Sequence, residues 1–313
     1  MTSKVLVTGG AGFIGSHLVD RLLRDGHAVA VLDNLSTGRR ENLADAGDRI
    51  EFVEGDIRDL ETLRSAVAGV DTVFHQAALP SVPRSIKSPA DSHAVNATGT
   101  LNVLIASRDA GVRRVVYASS SSVYGNSPEL PKRETMPTAP LSPYAVSKLT
   151  AEQYCRVFHH VYGLETVALR YFNVFGPRQD PNSAYSAVIP KFIRILVEGR
   201  APHIDGDGEQ TRSFAFVENV VDANVRAAAA EGAPGEAFNI AGAERISINE
   251  LDRTLRDLVP NAPSEPASHG DPRPGDVRHS YADLAKARDL LGYDVQTPLG
   301  EGLRRTVEWL AER

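Results

Sequence analysis

Short apolar runs separated by helical patterns dominate the first half of the chain. Lys4–Thr8, Ala28–Asp33, Ile50–Glu54, Thr72–Gln76, Arg114–Ser119 and Thr166–Tyr171 are rich in valine and carry few polar residues inside them. Runs of this kind predict strands buried on both faces, as in a parallel sheet covered by helices. Helical periodicity lies between them, over Ile14–Arg24, Leu60–Val67, Ala90–Asp109 and Pro143–Val161. Repeated βα units with right-handed crossovers predict an α/β fold with a doubly wound parallel sheet, here of six strands.

The rhythm breaks after Phe172. Gly176–Ala187 is rich in Pro, Asn, Gln and Ser and predicts a loop. Helices are expected over Val188–Glu198, Val217–Ala230, Asn249–Leu258 and Gly300–Ala311, a turn at Gly206–Gly208, and a further strand at Ala237–Ile240. Pro260–Pro274 is a Pro/Gly-rich connection. The expected organisation is a Rossmann domain over residues 1–172 plus about 213–241. A smaller interleaved α/β lobe would cover about 173–212 and 242–313.

Composition narrows the class. Of the 313 residues, 42% are apolar and 24% charged, as in ordinary soluble domains. The net charge of −6 argues against a general nucleic-acid binder, which needs basic faces. The single cysteine, Cys155, allows neither an internal disulfide nor a cysteine metal site, and its helical setting suits a small buried apolar role. The first strand begins at Lys4 with no leader pattern before it, and no apolar run is long enough for a bilayer. A cytoplasmic location with no membrane partner is expected.

The first strand runs into Gly9-Gly-Ala-Gly12-Phe13-Ile14-Gly15, which opens a helix. Gly9 permits a tight turn, Gly12 lets a pyrophosphate approach the backbone, and Gly15 lets helix and strand pack closely. Free N–H groups at the helix start favour an anion. Such a triplet alone is also compatible with a plain βα turn. Asp33 closes the second strand where a ribose-binding carboxylate belongs, which favours NAD over NADP because it repels a 2′-phosphate. Arg39 and Arg40 stand nearby and pull the other way. Asp56 closes the third strand and either reaches the adenine or caps a helix over Arg58–Leu63.

Tyr144-Ala-Val-Ser-Lys148 places a phenol and an ammonium at i and i+4, on one helix face, with Pro143 suited to the first turn. A tyrosine acting as a base near neutrality needs its pKa lowered by roughly three units, or ~4 kcal/mol. An adjacent ammonium and a positive nicotinamide can supply that. An ordinary Tyr–Lys helix pair is the alternative. The hydroxyl-rich Ser119-Ser-Ser-Ser122-Val-Tyr-Gly125 follows a strand, and strand ends line the ligand crevice in this architecture.

With Leu169–Pro177 (LRYFNVFGP), these motifs resemble the extended short-chain dehydrogenase/reductases that act on nucleotide sugars, over essentially the whole chain. Within that family the chain is most similar to UDP-hexose 4-epimerases, especially those of UDP-N-acetylglucosamine. Ala77–Ser85 (AALPSVPRS), Asn182–Lys191 (NSAYSAVIPK) and Gly275–Asp283 (GDVRHSYAD) carry the narrower match.

The resemblance implies the following roles. Tyr144 would take the proton from the sugar 4-hydroxyl, and the C4 hydride would pass to NAD. The 4-keto sugar would turn and receive hydride on its other face. Lys148 would hold the nicotinamide ribose and assist Tyr144; Ser120, with Ser121 and Ser122 close enough to share the role, would be the hydroxyl partner. NAD would be held by Gly9, Gly12, Phe13, Ile14 and Gly15, then by Asp33, Asn34, Ser36, Thr37 and Gly38. Asp56, Ile57, Gln76, Ala77, Ala78, Asn96, Ser119 and Tyr171 would complete its site. The UDP-sugar would meet Ser81, Ser120, Ser121 and Ser122, then Asn173, Val188, Arg212, Arg273, Asp276 and Ser280. Asn173, Arg212 and Arg273 match diphosphate contacts, Val188 a backbone contact to uracil, and Asp276 a ribose contact. For each arginine a solvated surface charge is the alternative, and it suits Arg84 and Arg178 better than Arg212 and Arg273.

Related dehydratases carry an acid where this chain has Ser122, which disfavours water loss. Small Ser280 matches a position walling the sugar pocket, so N-acetylated sugars are expected to fit, with a spectator role as the alternative. Pro80 replaces a lysine that contacts the NAD diphosphate in some 4-epimerases. UDP-glucuronate 4-epimerase, decarboxylase or 4,6-dehydratase activity is the alternative within the family, and a non-catalytic sensor the alternative outside it. No metal is expected, since His159 and His160 face different ways. Helices Ala90–Asp109 and Pro143–Val161 match those of a four-helix homodimer interface.

Overall fold

The structure is a computed structural model that describes residues 3–181, 187–272 and 278–312. Its centre is a parallel sheet of seven strands: β1 (Lys4–Thr8), β2 (Ala28–Asp33), β3 (Ile50–Glu54), β4 (Thr72–His75), β5 (Arg114–Ser120), β6 (Glu165–Tyr171) and β7 (Ala237–Ile240). They lie in the order β7-β6-β5-β4-β1-β2-β3. The expected six strands are all present; β7 is the seventh and pairs with β6 from Ala237 opposite Ala168 to Ile240 opposite Tyr171.

Among the described residues eleven α-helices accompany the sheet: α1 (Phe13–Arg24), α2 (Leu60–Ala66), α3 (Val82–Lys87), α4 (Pro89–His93), α5 (Thr100–Asp109), α6 (Pro143–Tyr162), α7 (Val188–Val197), α8 (Val217–Ala229), α9 (Ile248–Leu258), α10 (Ala285–Leu291) and α11 (Leu299–Ala311). Alternating residues of each strand feed opposite faces of the sheet. Val5 and Val7 join Leu18 and Leu22 of α1 and Val220 of α8. Leu6 lies on the other face with Leu63 of α2, Leu104 of α5 and Ala151 of α6. Each such leucine contributes roughly 1.5–3 kcal/mol by leaving water. A third core packs Phe192 of α7, Leu251 of α9 and Leu303 of α11 around Phe175 and Phe216.

The single helix expected over Ala90–Asp109 is instead α4, a π turn at Ala94–Gly99, and α5. The reason is Asn96. Its amide binds the backbone N–H and C=O of Leu79 at 2.8 and 3.1 Å and the Ser147 hydroxyl at 3.1 Å, inside the widened turn. Among the described residues no helix is long and apolar enough to cross a membrane.

Candidate functional site

The C-terminal ends of β1, β2, β4, β5 and β6 open into one cleft of about 1010 Å³. Its first wall is the β1–α1 turn. A Cβ on Gly9 would lie 2.6 Å from the Ala77 nitrogen, and one on Gly15 would lie 2.1 Å from the Gly9 oxygen. The fold itself therefore demands those two glycines. At Gly12 the nearest atom would be the Gly9 oxygen at 3.1 Å, so this glycine chiefly keeps the groove open. Gly12 is the N-cap of α1 and provides no side-chain cap, so the N–H groups of Phe13 and Ile14 face the groove as an anion site.

Asp33 ends β2 with its carboxylate held by the backbone N–H groups of Ala11 (3.0 Å) and Leu35 (2.8 Å). Burial raises its pKa, and the two N–H bonds partly offset this. Gly38 lies against it; a Cβ there would approach both carboxylate oxygens to 2.9 Å. Arg39 is paired with Asp180 at 2.9 Å, and Arg40 pairs with Glu54 and covers Phe52. Both arginines are thus engaged away from Asp33. Asp56 binds Asn34 and Arg58, and the Arg58 contacts bring its pKa down to about 2. It is not a helix cap: α2 starts later and is capped by Asp59.

Beneath the cleft Tyr171 donates to Gln76 at 3.2 Å and accepts from Asn224 of α8 at 2.8 Å; Gln76 donates to the same Asn224 at 2.9 Å. Asn224 thereby ties Gln76 and Tyr171 to α8, a link that no motif in the sequence announces.

The reactive end is formed by α6 and the turn after β5. Ser142 caps α6 by accepting from the Ala145 N–H at 3.1 Å, and Pro143 occupies the first turn. Tyr144 and Lys148 then face the end of β5. The Lys148 ammonium is buried, donates to the Ala118 carbonyl at 2.9 Å and sits 5.2 Å from the centre of the Tyr117 ring. Desolvation pulls its pKa from 10.5 to about 7. Burial raises the Tyr144 phenol, and only the hydrogen bond with Ser120 acts in the opposite direction. The lowering was expected from Lys148 together with a positive nicotinamide; the protein's own groups leave the phenol raised.

The Ser120 oxygen accepts from the Ser122 N–H (3.2 Å) and the Ser122 hydroxyl (2.9 Å), which leaves its own proton to point elsewhere. Gly125 closes this turn at φ 61°, where a Cβ would collide with the Ala139 carbonyl.

Among the expected site residues, Ser36, Thr37, Ile57, Ala78, Ser81, Ser119, Ser121, Asn173, Arg212 and Ser280 also line this cleft. Val188 lines an adjoining cavity of about 250 Å³, which shares Asn173 and Arg212 with the first. Ser280 and Arg212 sit side by side in a small sheet. Asn96 departs from expectation: it is buried behind the wall, with its amide committed to Leu79 and Ser147. Arg178 is no solvated charge, since it pairs with Asp20 at 2.8 Å. Arg84 lines the cleft. Arg273 and Asp276 lie outside the described residues. Lys132, also in the cleft wall, was not anticipated; its buried ammonium is tied to the Ser127 and Glu129 carbonyls.

A groove for a dinucleotide, ending on a Tyr/Lys/Ser cluster, matches one family by sequence: the NAD dependent epimerase/dehydratase family, over residues 5–241. The chain belongs to that family. UDP-glucose 4-epimerase of Mycolicibacterium smegmatis is 45% identical, with 99% of each chain covered. UDP-N-acetylglucosamine 4-epimerase from Methanobrevibacter ruminantium, solved with UDP-N-acetylmuramic acid, is 40% identical with a TM-score of 0.94, covering 99% of both chains. The UDP-glucose 4-epimerase of Thermus thermophilus, solved with NAD, is 37% identical with a TM-score of 0.87 over 98% of each. NAD is the cofactor of this epimerase/dehydratase family, and the cleft fits it: an uncapped helix start at Gly12, an open groove beside it, and a carboxylate at Asp33.

Proposed function

We propose that the chain interconverts UDP-hexoses at sugar C4, taking UDP-glucose/UDP-galactose and also UDP-N-acetylglucosamine/UDP-N-acetylgalactosamine. One observation carries this reading: Tyr144, Lys148 and Ser120 line the same cleft as the β1–α1 turn and Asp33, and that cleft shares Asn173 and Arg212 with the cavity lined by Val188. On this reading Tyr144 moves the proton of the 4-hydroxyl, with Ser120 as its hydrogen-bond partner. Lys148 holds the ribose next to the nicotinamide. NAD, when bound, would supply the hydride acceptor and donor for reversible oxidation at C4, beside Tyr144 and Lys148. Asn173, Arg212 and Arg273 take the diphosphate, Val188 the uracil and Asp276 the ribose. The segments at about 173–212 and 242–313 form the nucleotide-sugar lobe.

Water loss is disfavoured by the surroundings of Ser120. The carboxylates in the described cleft wall are Asp33, Asp56 and Asp180. Asp33 closes β2, Asp56 follows β3 by two residues, and Asp180 pairs with Arg39 on the loop after β2. Strand β2 stands three positions from β5, roughly 14 Å at the usual spacing. Ser122, where dehydratases carry an acid, is bonded to Ser120.

The exposed face of α6 carries Val146, Tyr154, Val157, Val161 and Tyr162 at helical spacing, beside Val82 and Ile86 of α3. Its proposed occupant is a second copy of the chain, giving a homodimer, and the location is cytoplasmic. A panel of UDP-sugars incubated without added NAD, with products separated, tests the function. Interconversion of 4-epimers is expected. Turnover of UDP-glucuronate alone, release of carbon dioxide, or no turnover by NAD-loaded protein would each overturn it. A monomer mass in sedimentation would overturn the dimer.

A further inference from the structure

The face of α6 that bears Tyr144 and Lys148 presents a third polar group one repeat further along. Glu152 is 5% exposed. One carboxylate oxygen accepts from the Ser119 hydroxyl at 2.6 Å and from Arg170 Nε at 3.0 Å; the other accepts from Arg170 Nη2 at 2.5 Å. Ser119 and Arg170 are direct neighbours across the β5–β6 pair, so one carboxylate clamps both strands to the helix. Arg170 continues through Nη1 to the Tyr124 hydroxyl at 2.8 Å, which donates to Asn239 of β7 at 2.7 Å.

Two successive turns of α6 thus grip successive residues of β5. Lys148 holds the Ala118 carbonyl, and Glu152 holds the Ser119 hydroxyl. Ser120, the next residue, is the one that faces the Tyr144 phenol. Although Ser119 lines the cleft, its proton is committed to Glu152 and is not available to a ligand. A buried ion pair holds helix to strand no better than apolar residues of similar volume would. Its distinctive capacity is directional: three donors converge on one carboxylate and fix the register of the strand end.

We propose that Glu152, acting through Ser119 and Arg170, is a positioning residue that sets Ser120 against Tyr144. The proposal rests on the reading of Tyr144 as the base. Ser119→Ala removes one bond and leaves the Glu152–Arg170 pair in place, so the fold survives. Its kcat should fall about tenfold or more, because small misplacements of reacting groups cost up to about 10² in rate. KM should stay within roughly twofold, since contacts to the nucleotide are untouched. Bound dinucleotide content should match wild type, and the melting temperature should fall by only a few degrees, since one hydrogen bond to the buried carboxylate is lost. Ser119→Thr, which restores the hydroxyl, should recover most of the rate. In the Ser119→Ala/Glu152→Gln double variant the two losses should not multiply, since the Ser119–Glu152 bond is common to both. An unchanged kcat in Ser119→Ala overturns the proposal. So does a loss confined to KM or dinucleotide content, which would make Ser119 a ligand contact. If wild type converts no UDP-sugar, the functional reading fails while the positioning claim is still decided by crystal structures of wild type and Ser119→Ala. A widened Ser120–Tyr144 separation in the variant supports it, and an unchanged one overturns it.

Discussion

Lys148 offers a test that needs no substrate. Desolvation holds its folded pKa at about 7 against an ordinary 10.5. A cation whose pKa falls on folding costs stability wherever it is charged. The cost is full below pH 7, shrinks as pH rises, and is gone above the unfolded pKa. Linkage gives a penalty of about 4 kcal/mol at pH 7 and about 2 kcal/mol at pH 9. Dinucleotide-free wild type should therefore gain about 2 kcal/mol from this group between those values. Lys148→Met removes the charge and keeps most of the stem, and it should lack that gain. Urea unfolding of both proteins at pH 7, 8 and 9 measures it. The window excludes the obvious confounders. His17 and His75 titrate at about 4 and 3 in the fold, and both are neutral throughout. Tyr124 and Tyr171 are pushed up to about 12. Cys155, whose thiol burial also pushes up, is common to both proteins and cancels. Equal pH slopes for the two proteins would refute the reasoning and mean that Lys148 keeps its charge at little cost.

Three further outcomes are expected. Tyr144→Phe should lower kcat by about 10²–10⁴ while retaining bound NAD, because only the proton-transfer group is lost; rate and dinucleotide content check this together. Ser280→Tyr should cut kcat/KM for N-acetylated sugars more than tenfold relative to UDP-galactose, since Ser280 lines the cleft beside Arg212; equal loss on both sugars would make Ser280 a spectator. Asp33→Asn keeps an acceptor for Ala11 or Leu35 but removes the charge, so the preference for NAD over NADP should narrow by about tenfold in binding titrations.

The sheet was legible because five of its strands, β1, β2, β4, β5 and β6, are apolar runs whose burial on both faces removes any need for polar alternation; the edge strand β3 is only partly buried, with Glu51 and Glu54 exposed. The strand at Ala237–Ile240 was also visible, but not its place beside β6, because that pairing spans about seventy residues of sequence and no local pattern encodes it. The α3 segment has six residues with Pro83 inside, too short for a 3.6-residue period to show. Asn96 has no propensity signal for a π turn; three tertiary hydrogen bonds impose one. Glu152 was passed over for a similar reason. A glutamate within a helix is ordinarily solvated, and only the fold brings Arg170 and Ser119 to it. Glycines, strand-end acids and the Tyr/Lys spacing were readable because each follows from local geometry.

The electrostatics of the cleft constrain how Tyr144 becomes a base on the proposed reading. The phenol must lose roughly three units of pKa to work near neutrality. Burial moves it the other way. Ser120 can donate to the phenolate, because Ser122 already occupies its oxygen with two donors. A hydrogen bond to a charged group contributes about 1.5–3 kcal/mol, or roughly one to two units. Lys148, with its pKa at about 7, carries only part of its charge at neutral pH. These groups together fall short once burial is set against them. The remaining stabilisation is assigned to the positive charge that NAD brings when bound. Tyr144 should accordingly stay protonated through pH 9 in dinucleotide-free protein, so the chain makes its base only where an acceptor for the hydride is already in place. Ser120 and Lys148 then serve to aim and partly neutralise a phenolate that they could not generate alone.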